Sequence, residues 1–430
     1  LAWMVLVCGV WGLGGAGLAL PLGQNTAVLL WFVVTIQVSH YLITALAKMW
    51  LGPRVTSWVT DNTLHHLAAS AYSWGWMRWL PWSRWRRVIA AVRMVEIPMQ
   101  LAAFTVELLA PLALAHGWAA VGMSVVWSSF HVGVFALSGL LFWDWIVTNL
   151  AVAAALLWVP EQVWSTAFGG WQLLATLIFM VAFPLRHKLW TPMPLGWWDT
   201  PLTQRIHWVV TGGSGQEYAL TNAFMCPHER LFGKVNGCFL APEAVFTYHL
   251  GEVWKHDLRD AIREAGPDME RLKRVREKYG ILPRSEALVA NHVAYLTRFL
   301  GLVNRGVVKH ALPQGLRWLK APGGQIFYWN ELPRFYGQER VVKVSLWYRE
   351  EYFDGEELVR LTNTHVLDID IDDSAADVEP VSAPSPKEMD DFLLDFAVGK
   401  LIDLPDFGEG YVKTDDGAAR AVAAGSSPDS

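Results

Sequence analysis

Charged residues and cysteines are scarce in this sequence, and the scarcity is uneven along the chain. Charged side chains make up 17% of the 430 residues, and the mean hydropathy is +0.24. Three cysteines are too few for a disulfide framework, so reduced thiols are expected. No internal repeat is evident, which argues against a repeat architecture. The chain is apolar from Leu1 with no basic stretch before it, a pattern that is not typical of a cleavable signal peptide.

The composition divides the chain into two parts. Residues 1–200 hold 15 of the 75 charged side chains and 20 of the 25 tryptophans, with a net charge of +3, whereas residues 201–430 carry a net charge of −8. An acidic soluble part argues against nucleic acid as a partner. We predict a transmembrane domain over 1–195, a soluble α+β domain over 200–372, a linker with an amphipathic helix over 373–412, and a disordered tail over 413–430.

Apolar runs predict about six membrane-spanning helices, since roughly 20 apolar residues cross a bilayer as a helix. The runs cover about 1–20, 26–50, 88–115, 117–138, 140–160 and 168–185. The predicted fold class is therefore a multi-pass, all-α transmembrane bundle of about six helices with a C-terminal soluble α+β domain. Basic residues follow the second and the sixth runs, so the positive-inside rule predicts a cytoplasmic C-terminal domain.

The segment 74–87 between the second and third runs is dense in indole and guanidinium groups. Its five tryptophans and four arginines predict an anchor that lies at the level of the lipid head groups. In the soluble part, helices are predicted over 256–280 and 284–303, and strands over 325–329, 341–348 and 358–371. A zinc site at Cys226, His228, Cys238 and His249 is an alternative to a packed region of reduced thiols, but the spacing matches no zinc finger, and we predict no metal.

Lys48 carries the only full charge in the second apolar run. If the run is helical, Tyr41, Thr44 and Lys48 share one face. Removing a lysine from water disfavours its charged form, which can leave a neutral amine able to act as a base. The alternative is that Lys48, two residues from the end of the run, extends its amine to the head groups.

Further polar residues interrupt the later runs. Arg93 and Glu96 are three residues apart, which predicts a local ion pair, and Glu107 is expected to pair with Arg93 or with a loop. His131 shares a helical face with Ser128 and Ser138. A neutral imidazole there can donate or accept a hydrogen bond, although a core histidine bonded to a neighbouring helix is an equally open interpretation.

Three stretches resemble the HTTM superfamily, the membrane domain of vitamin K-dependent gamma-carboxylases and their bacterial homologues. Tyr41-Leu-Ile-Thr-Ala-Leu-Ala-Lys48 is similar to that family's tyrosine-to-lysine segment, and it is followed by Trp58 and a run that ends in Asn62-Thr63-Leu64. Glu107-Leu-Leu-Ala-Pro111 is similar to its glutamate segment. The helix around Phe130-His131 resembles its Phe-His helix. Together these stretches cover about residues 26–160.

The resemblance implies an enzyme of the bacterial inner membrane that epoxidises a reduced quinone, vitamin K hydroquinone or menaquinol, with O2. The strong base so generated would allow a glutamate or another acceptor to capture CO2, with a peptide or protein as a candidate substrate. It assigns Lys48 as the base and His131 as its catalytic partner. Residues expected to line the quinone site are Tyr41, Thr44, Trp58, Ser128 and Ser138. The alternative is a non-catalytic scaffold that binds quinone or lipid, or an accessory subunit of a larger membrane complex.

Overall fold

Six α-helices make up the N-terminal part of the described chain. The computed structural model describes residues 22–158, 160, 195–220, 240–247, 249–280, 284, 286–308 and 331–380. The helices are α1 (Leu22–Trp50), α2 (Ser57–Asp61), α3 (Leu64–Ser73), α4 (Trp82–Leu108), α5 (Gly117–Ser138) and α6 (Trp143–Trp158), with a 3-10 turn at Ala110–Leu114. Pro111 explains why α4 gives way to the 3-10 turn, because proline has no N–H to continue the helical ladder.

Helix α5 ends at a glycine that the local geometry requires. Gly139 adopts the left-handed conformation with φ +74°, and its N–H donates to the carbonyl of Phe135. A Cβ there would lie 2.8 Å from the ring of Trp76, so the glycine also lets the loop before α4 approach closely. The bounds of α5 agree with the run predicted over 117–138.

The predicted six-helix membrane bundle is wrong. Within the described ranges, two helical stretches are long and apolar enough to cross a membrane: Trp82–Leu114 and Gly117–Ser138. Helix α6 has 16 residues, fewer than a span needs, and the runs predicted at 1–20 and 168–185 lie outside the described residues. Apolar composition overestimates spans because it does not separate lipid-facing helices from packed ones; Val34 and Val38 of α1 are completely buried.

The two candidate spans expose much of their apolar surface. In α4, Met94 is 80% exposed and Ile97 is 53% exposed, and in α5, Trp118 is 64% exposed and Val132 is 52% exposed. Exposed apolar side chains on long helices are typical of contact with lipid or with another protein. These two helices are long enough and apolar enough to associate with a membrane.

A four-stranded antiparallel sheet dominates the rest of the described chain, in the order β3-β2-β5-β6. Its strands are β2 (Leu202–Gly212), β3 (Glu217–Leu220), β5 (Val341–Phe353) and β6 (Leu358–Asp370), and a separate two-stranded ladder joins β1 (Trp198–Asp199) to β4 (Glu252–Val253). The strands predicted at 341–348 and 358–371 correspond to β5 and β6. The strand predicted at 325–329 lies outside the described residues, and β2 and β3 were not predicted.

One face of the sheet packs on three helices, α7 (His256–Ala265), α8 (Met269–Tyr279) and α9 (Glu286–Asn304). Ile206 and Trp208 of β2 are buried in this core, and the Trp208 indole donates to Nε2 of His292 at 3.0 Å. The helix predicted over 256–280 is two helices, because Gly266 has φ +62° and proline follows it. This face is the apolar core of the C-terminal part.

The other face of the sheet meets the N-terminal helices. Ser73, at the end of α3, hydrogen-bonds Thr203 of β2 at 2.9 Å and the Glu351 carboxylate of β5 at 2.5 Å. Near β1, the Asn62 amide donates to Asp199 at 2.7 Å and its carbonyl oxygen accepts from the Asp199 N–H at 2.8 Å. Buried hydrogen bonds therefore join the two parts, and chemistry-bearing residues are concentrated at this junction.

Substitution of Gly301 in α9 should lower stability, because its added Cβ would lie 2.3 Å from the backbone nitrogen of Ala376. We expect Gly301→Ala to cost about 1–3 kcal/mol, typical of overpacking. The matched control is Gly133→Ala in α5, where an added Cβ meets nothing within 4 Å. Thermal unfolding of the purified protein measures both. Equal unfolding temperatures for the two variants would contradict the packing of α9 against residues 375–376.

Candidate functional site

Lys48 lies in the last turn of α1 and forms a buried ion pair. Its Nζ is 2.7 Å from Oε1 and 2.6 Å from Oε2 of Glu107 in α4, and both side chains are more than 90% buried. The amine also lies 4.2 Å from the ring centroid of Trp58. The ammonium group is thus held by a carboxylate and an aromatic face instead of reaching a head-group region.

The expected partners of the other charges differ from those observed. Glu107 pairs with Lys48 and not with Arg93, whose side chain is exposed. The carboxylate of Glu96 lies 2.6 Å from Nδ1 of His65, so the predicted Arg93–Glu96 pair is also wrong. Sequence spacing favoured the neighbours three residues away, but burial of Lys48 requires an opposite charge from another helix.

A second buried network lies earlier on α1. The hydroxyl of Tyr41 is 2.7 Å from Nε2 of His131 in α5, and its ring stacks on Trp127 at a centroid distance of 4.3 Å and an angle of 9°. The Asn149 amide of α6 donates to the Tyr41 oxygen at 3.0 Å, and Gln37 donates to Asn149 at 2.7 Å. The structure therefore brings together Tyr41 and His131, two of the residues predicted for the site.

The donor and acceptor roles in this network identify one hydrogen-bond donor that is not used. Because Tyr41 accepts from Asn149, its own O–H is available to donate to Nε2 of His131. A neutral imidazole that accepts at Nε2 carries its proton on Nδ1. Nδ1 of His131 is buried and has no hydrogen-bond partner among the residues that the structure describes. An N–H of this kind can donate to an oxygen of a bound molecule.

The two networks are separate and share only α1. Tyr41 and Lys48 are seven residues apart, which corresponds to about 10 Å along the helix axis. No direct hydrogen bond joins Lys48 to His131 among the described residues. Helix α1 therefore contributes Lys48 to the ion pair from its last turn and contributes Tyr41 to the Tyr–His pair from two turns earlier.

The remaining predicted site residues do not converge on either network as hydrogen-bonding groups. Thr44 donates to the carbonyl of His40 at 2.9 Å, Ser128 to that of Ser124 at 2.9 Å, and Ser138 to that of Val134 at 2.7 Å. These hydroxyls satisfy their own helices, as is common for Ser and Thr within apolar helices. Trp58 does contribute, through its ring over Lys48 and its indole N–H, which donates to the carbonyl of Trp197 at 3.0 Å.

Sequence reasoning missed a buried carboxylate pair beside Asn62. Asp199 of β1 and Glu252 of β4 are register partners and are 2% and 4% exposed. Burial raises the pKa of Asp199 to about 6, and burial together with the charge of Asp199 raises the pKa of Glu252 well above its usual value. The two residues are 53 positions apart, so only the strand pairing brings them together. Asp199 is bonded to Asn62, so the carboxylate pair belongs to the junction between the two parts.

No group of three or more His, Cys, Asp or Glu side chains suited to a metal ion occurs in the part of the chain that the structure describes. Cys226, His228 and Cys238, the alternative zinc ligands, lie outside the described residues, as does the side chain of His249. The zinc alternative stays untested.

Removal of one charge from the Lys48–Glu107 pair should destabilise the protein strongly. Lys48→Met and Glu107→Gln each leave a buried group without its partner, at a cost of about 3–5 kcal/mol. The double variant Lys48→Met/Glu107→Gln should cost clearly less than the sum of the two single changes. Unfolding temperatures in detergent test this double-mutant cycle. Additive losses would show that the two side chains do not interact.

The carboxylate pair predicts a pH dependence of stability. Asp199 and Glu252 hold their protons to higher pH in the folded chain than in the unfolded chain, so stability falls as pH rises from about 4 through 6 and above. Glu252→Gln should reduce the slope of the unfolding free energy against pH by up to about 1.4 kcal/mol per pH unit, the contribution of one titrating proton. Unfolding temperatures between pH 5 and pH 8 should decline less for the variant. Parallel curves would contradict a buried, protonated Glu252.

Comparison of the chain with family models, with curated proteins and with solved structures finds no match in any of the three. The resemblance to the HTTM superfamily stays a prediction from the motifs around Lys48, Glu107 and His131. The candidate site is therefore defined by its geometry: the buried Lys48–Glu107 ion pair and the Tyr41–His131 pair, both presented by α1.

Proposed function

We propose that the chain is a gamma-carboxylase-like membrane enzyme that acts on a reduced quinone with O2. The observation that carries the proposal is the open Nδ1 of His131, which is buried beside aromatic rings. The other ring nitrogen of His131 is bonded to Tyr41, which lies two helical turns before Lys48 on α1. An apolar surrounding with a few fixed polar groups is typical of sites for flat, hydrophobic ligands. When bound, the reduced quinone would supply the O2-dependent oxidation that generates a strong base.

Two features of the site fit such a ligand: one hydrogen-bond donor and the aromatic rings around it. The Nδ1 hydrogen of His131 can donate to an oxygen, and the chain from Gln37 through Asn149 and Tyr41 fixes the ring in that orientation. The rings of Trp145 and Phe142 lie 6.3 and 5.3 Å from the His131 centroid. These aromatic faces supply apolar contact around the one open donor.

The ion pair changes the role expected for Lys48. An amine bonded to both oxygens of Glu107 is not a lone neutral base. We assign proton acceptance to the pair as a unit: an Oε atom of Glu107 takes the proton, and the Lys48 ammonium then remains as a compensating positive charge for a nearby anionic oxygen. Burial excludes water, which would otherwise compete for both steps.

The alternative function is a non-catalytic scaffold that binds quinone or lipid. It is favoured by the hydroxyls of Thr44, Ser128 and Ser138, which donate to their own helices and so have no O–H left to donate to a ligand. A scaffold needs the aromatic surroundings of His131 but not the proton-accepting pair. Oxygen consumption therefore separates the two functions.

We also propose a place for the protein in the cell: a multi-pass protein of the bacterial inner membrane with its C-terminal domain on the cytoplasmic side. The support is the basic segment before and at the start of α4. Arg78 precedes the candidate span Trp82–Leu114, and Arg84, Arg86 and Arg87 lie in its first turns. Such residues favour the cytoplasmic side of a membrane.

The test is O2 uptake by the full chain in lipid nanodiscs supplied with menaquinol or vitamin K hydroquinone, with the epoxide measured by chromatography. Wild type should consume O2, and His131→Ala and Lys48→Met/Glu107→Gln should each lose about 100-fold or more of the rate. Ser129→Ala is the matched control, because Ser129 is exposed on α5 and bonds only its own helix. Quinol bound by wild type without O2 uptake would overturn the enzyme in favour of the scaffold.

A further inference from the structure

Helix α4 carries a line of polar residues on the face that it turns to the other N-terminal helices. Gln100 follows Glu96 by four residues and Glu107 follows Gln100 by seven, so the three side chains share one face of the helix. Glu96 lies 2.6 Å from Nδ1 of His65 in α3, and Glu107 lies 2.6 Å from Nζ of Lys48 in α1. Each end of the line is therefore bonded to an ionisable group from another helix.

Gln100, between these two ends, has no such partner. It is 0% exposed, and neither its amide nitrogen nor its amide oxygen has a hydrogen-bond partner among the described residues. A glutamine amide can both donate and accept hydrogen bonds, so burying it without partners is costly. Buried polar groups that lack a protein partner are commonly bonded to ordered water. The amide of Gln100 is therefore suited to hold water molecules within the polar line.

The spacing along α4 leaves room for such water. Gln100 lies about 6 Å from Glu96 along the helix axis and about 10 Å from Glu107. Ala103 shares the face between Gln100 and Glu107, and its methyl group fills little of that interval. Hydrogen-bonded oxygens lie about 2.8 Å apart, so about two water molecules complete the longer interval once the side chains are counted.

The end of the line at Glu96 is the more open one. The side chains of His65 and Glu96 are 8% and 16% exposed, compared with 7% and 4% for Lys48 and Glu107. The ring of His65 lies 4.3 Å from that of His66, at the junction with the sheet domain. Imidazole is the side chain that most readily exchanges protons with water near neutral pH. A proton that reaches the His65–Glu96 pair can therefore leave to solvent there.

We propose that Gln100 positions water molecules that carry protons between the Lys48–Glu107 pair and the His65–Glu96 pair. After Glu107 has accepted a proton, its O–H bond breaks and the proton joins a water held by Gln100. That water passes one proton on to the His65–Glu96 pair, and solvent finally accepts it. Each water gains one proton and loses one, so nothing is consumed. A few held waters differ from the bulk water that burial excludes.

Gln100 is a positioning residue in this path, because its amide keeps its own protons. The use of the path in turnover rests on the proposed function, since only that function loads a proton onto Glu107. The access of water to this face of α4 does not rest on it. Two measurements therefore test the proposal, one without turnover and one with it.

The first measurement follows the exchange of a thiol hydrogen in D2O by infrared spectroscopy, where the S–H stretch is replaced by the S–D stretch. Ala103→Cys is placed in the full chain in lipid nanodiscs, with the three native cysteines replaced by serine. The matched control is Ala102→Cys, at the neighbouring exposed position on the apolar surface of α4. The thiol at 103 should exchange about tenfold or more faster, because hydrocarbon holds no water. Adding Gln100→Met should slow it towards the control.

The second measurement is O2 uptake with menaquinol, in H2O and in D2O. Gln100→Met and Ala103→Leu should each lower the rate about tenfold and raise the solvent isotope effect, because proton transfer becomes limiting. Gln100→Glu keeps polar oxygens at this position and should restore most of the rate. Ala102→Leu is the control for added bulk. Ala103→Leu keeps the test available if Gln100→Met does not fold.

The outcomes separate the path from the proposed enzyme. Equal thiol exchange at positions 102 and 103, or no effect of Gln100→Met on exchange, would overturn the path whatever the activity. Fast exchange at 103 that depends on Gln100, with no O2 uptake by wild type, would support the path and reject the enzyme. A lower rate in Gln100→Met with an unchanged isotope effect would indicate a structural role and overturn the assignment of Gln100.

Discussion

Two opposite charges that are buried away from water must lie next to each other. In this chain the buried Lys48–Glu107 pair imposes that constraint on the N-terminal helices. It ties the last turn of α1 to α4 through two hydrogen bonds of 2.6 and 2.7 Å. Trp58 covers the ammonium group and at the same time donates to the carbonyl of Trp197, just before β1. Because a buried charge without its partner is so costly, the end of α1, the turn at α2 and the approach to the sheet domain are held in one arrangement.

The same rule extends across the junction between the two parts of the described chain. Asn62 and Asp199 form such a matched pair there, through both the amide and the carbonyl oxygen of Asn62. The two faces of the sheet differ. Trp208 packs into an apolar core on one face, whereas Arg205 lies on the charged face that meets the N-terminal helices.

Local pattern predicted some elements well and could not predict the contacts that define the site. Strands β5 and β6 follow from their β-branched and aromatic composition, and helix α5 follows from its apolar run. Strand β2 was missed, and Gln204 interrupts its apolar face. The partner of Lys48 is 59 residues away, and an ion pair at that separation leaves no spacing signal. The number of membrane spans was overestimated because composition shows that a helix is apolar but does not show whether lipid or protein surrounds it. Tyr41 and His131 were predicted for the site from the resemblance; the hydrogen bond between them depends on how α1 and α5 pack.

Pairing Lys48 with Glu107 alters what the site can do. A lone buried amine can be neutral, and it could take a proton only by becoming an unpaired buried cation. The pair starts with one positive and one negative charge, so protonation of the carboxylate creates a single positive charge that an anionic oxygen beside it would neutralise. His131 adds a donor without charge, oriented by Tyr41 and Asn149. Since Lys48 and Tyr41 lie on one helix, their separation is set by α1 itself and does not depend on how the two parts of the chain move relative to each other.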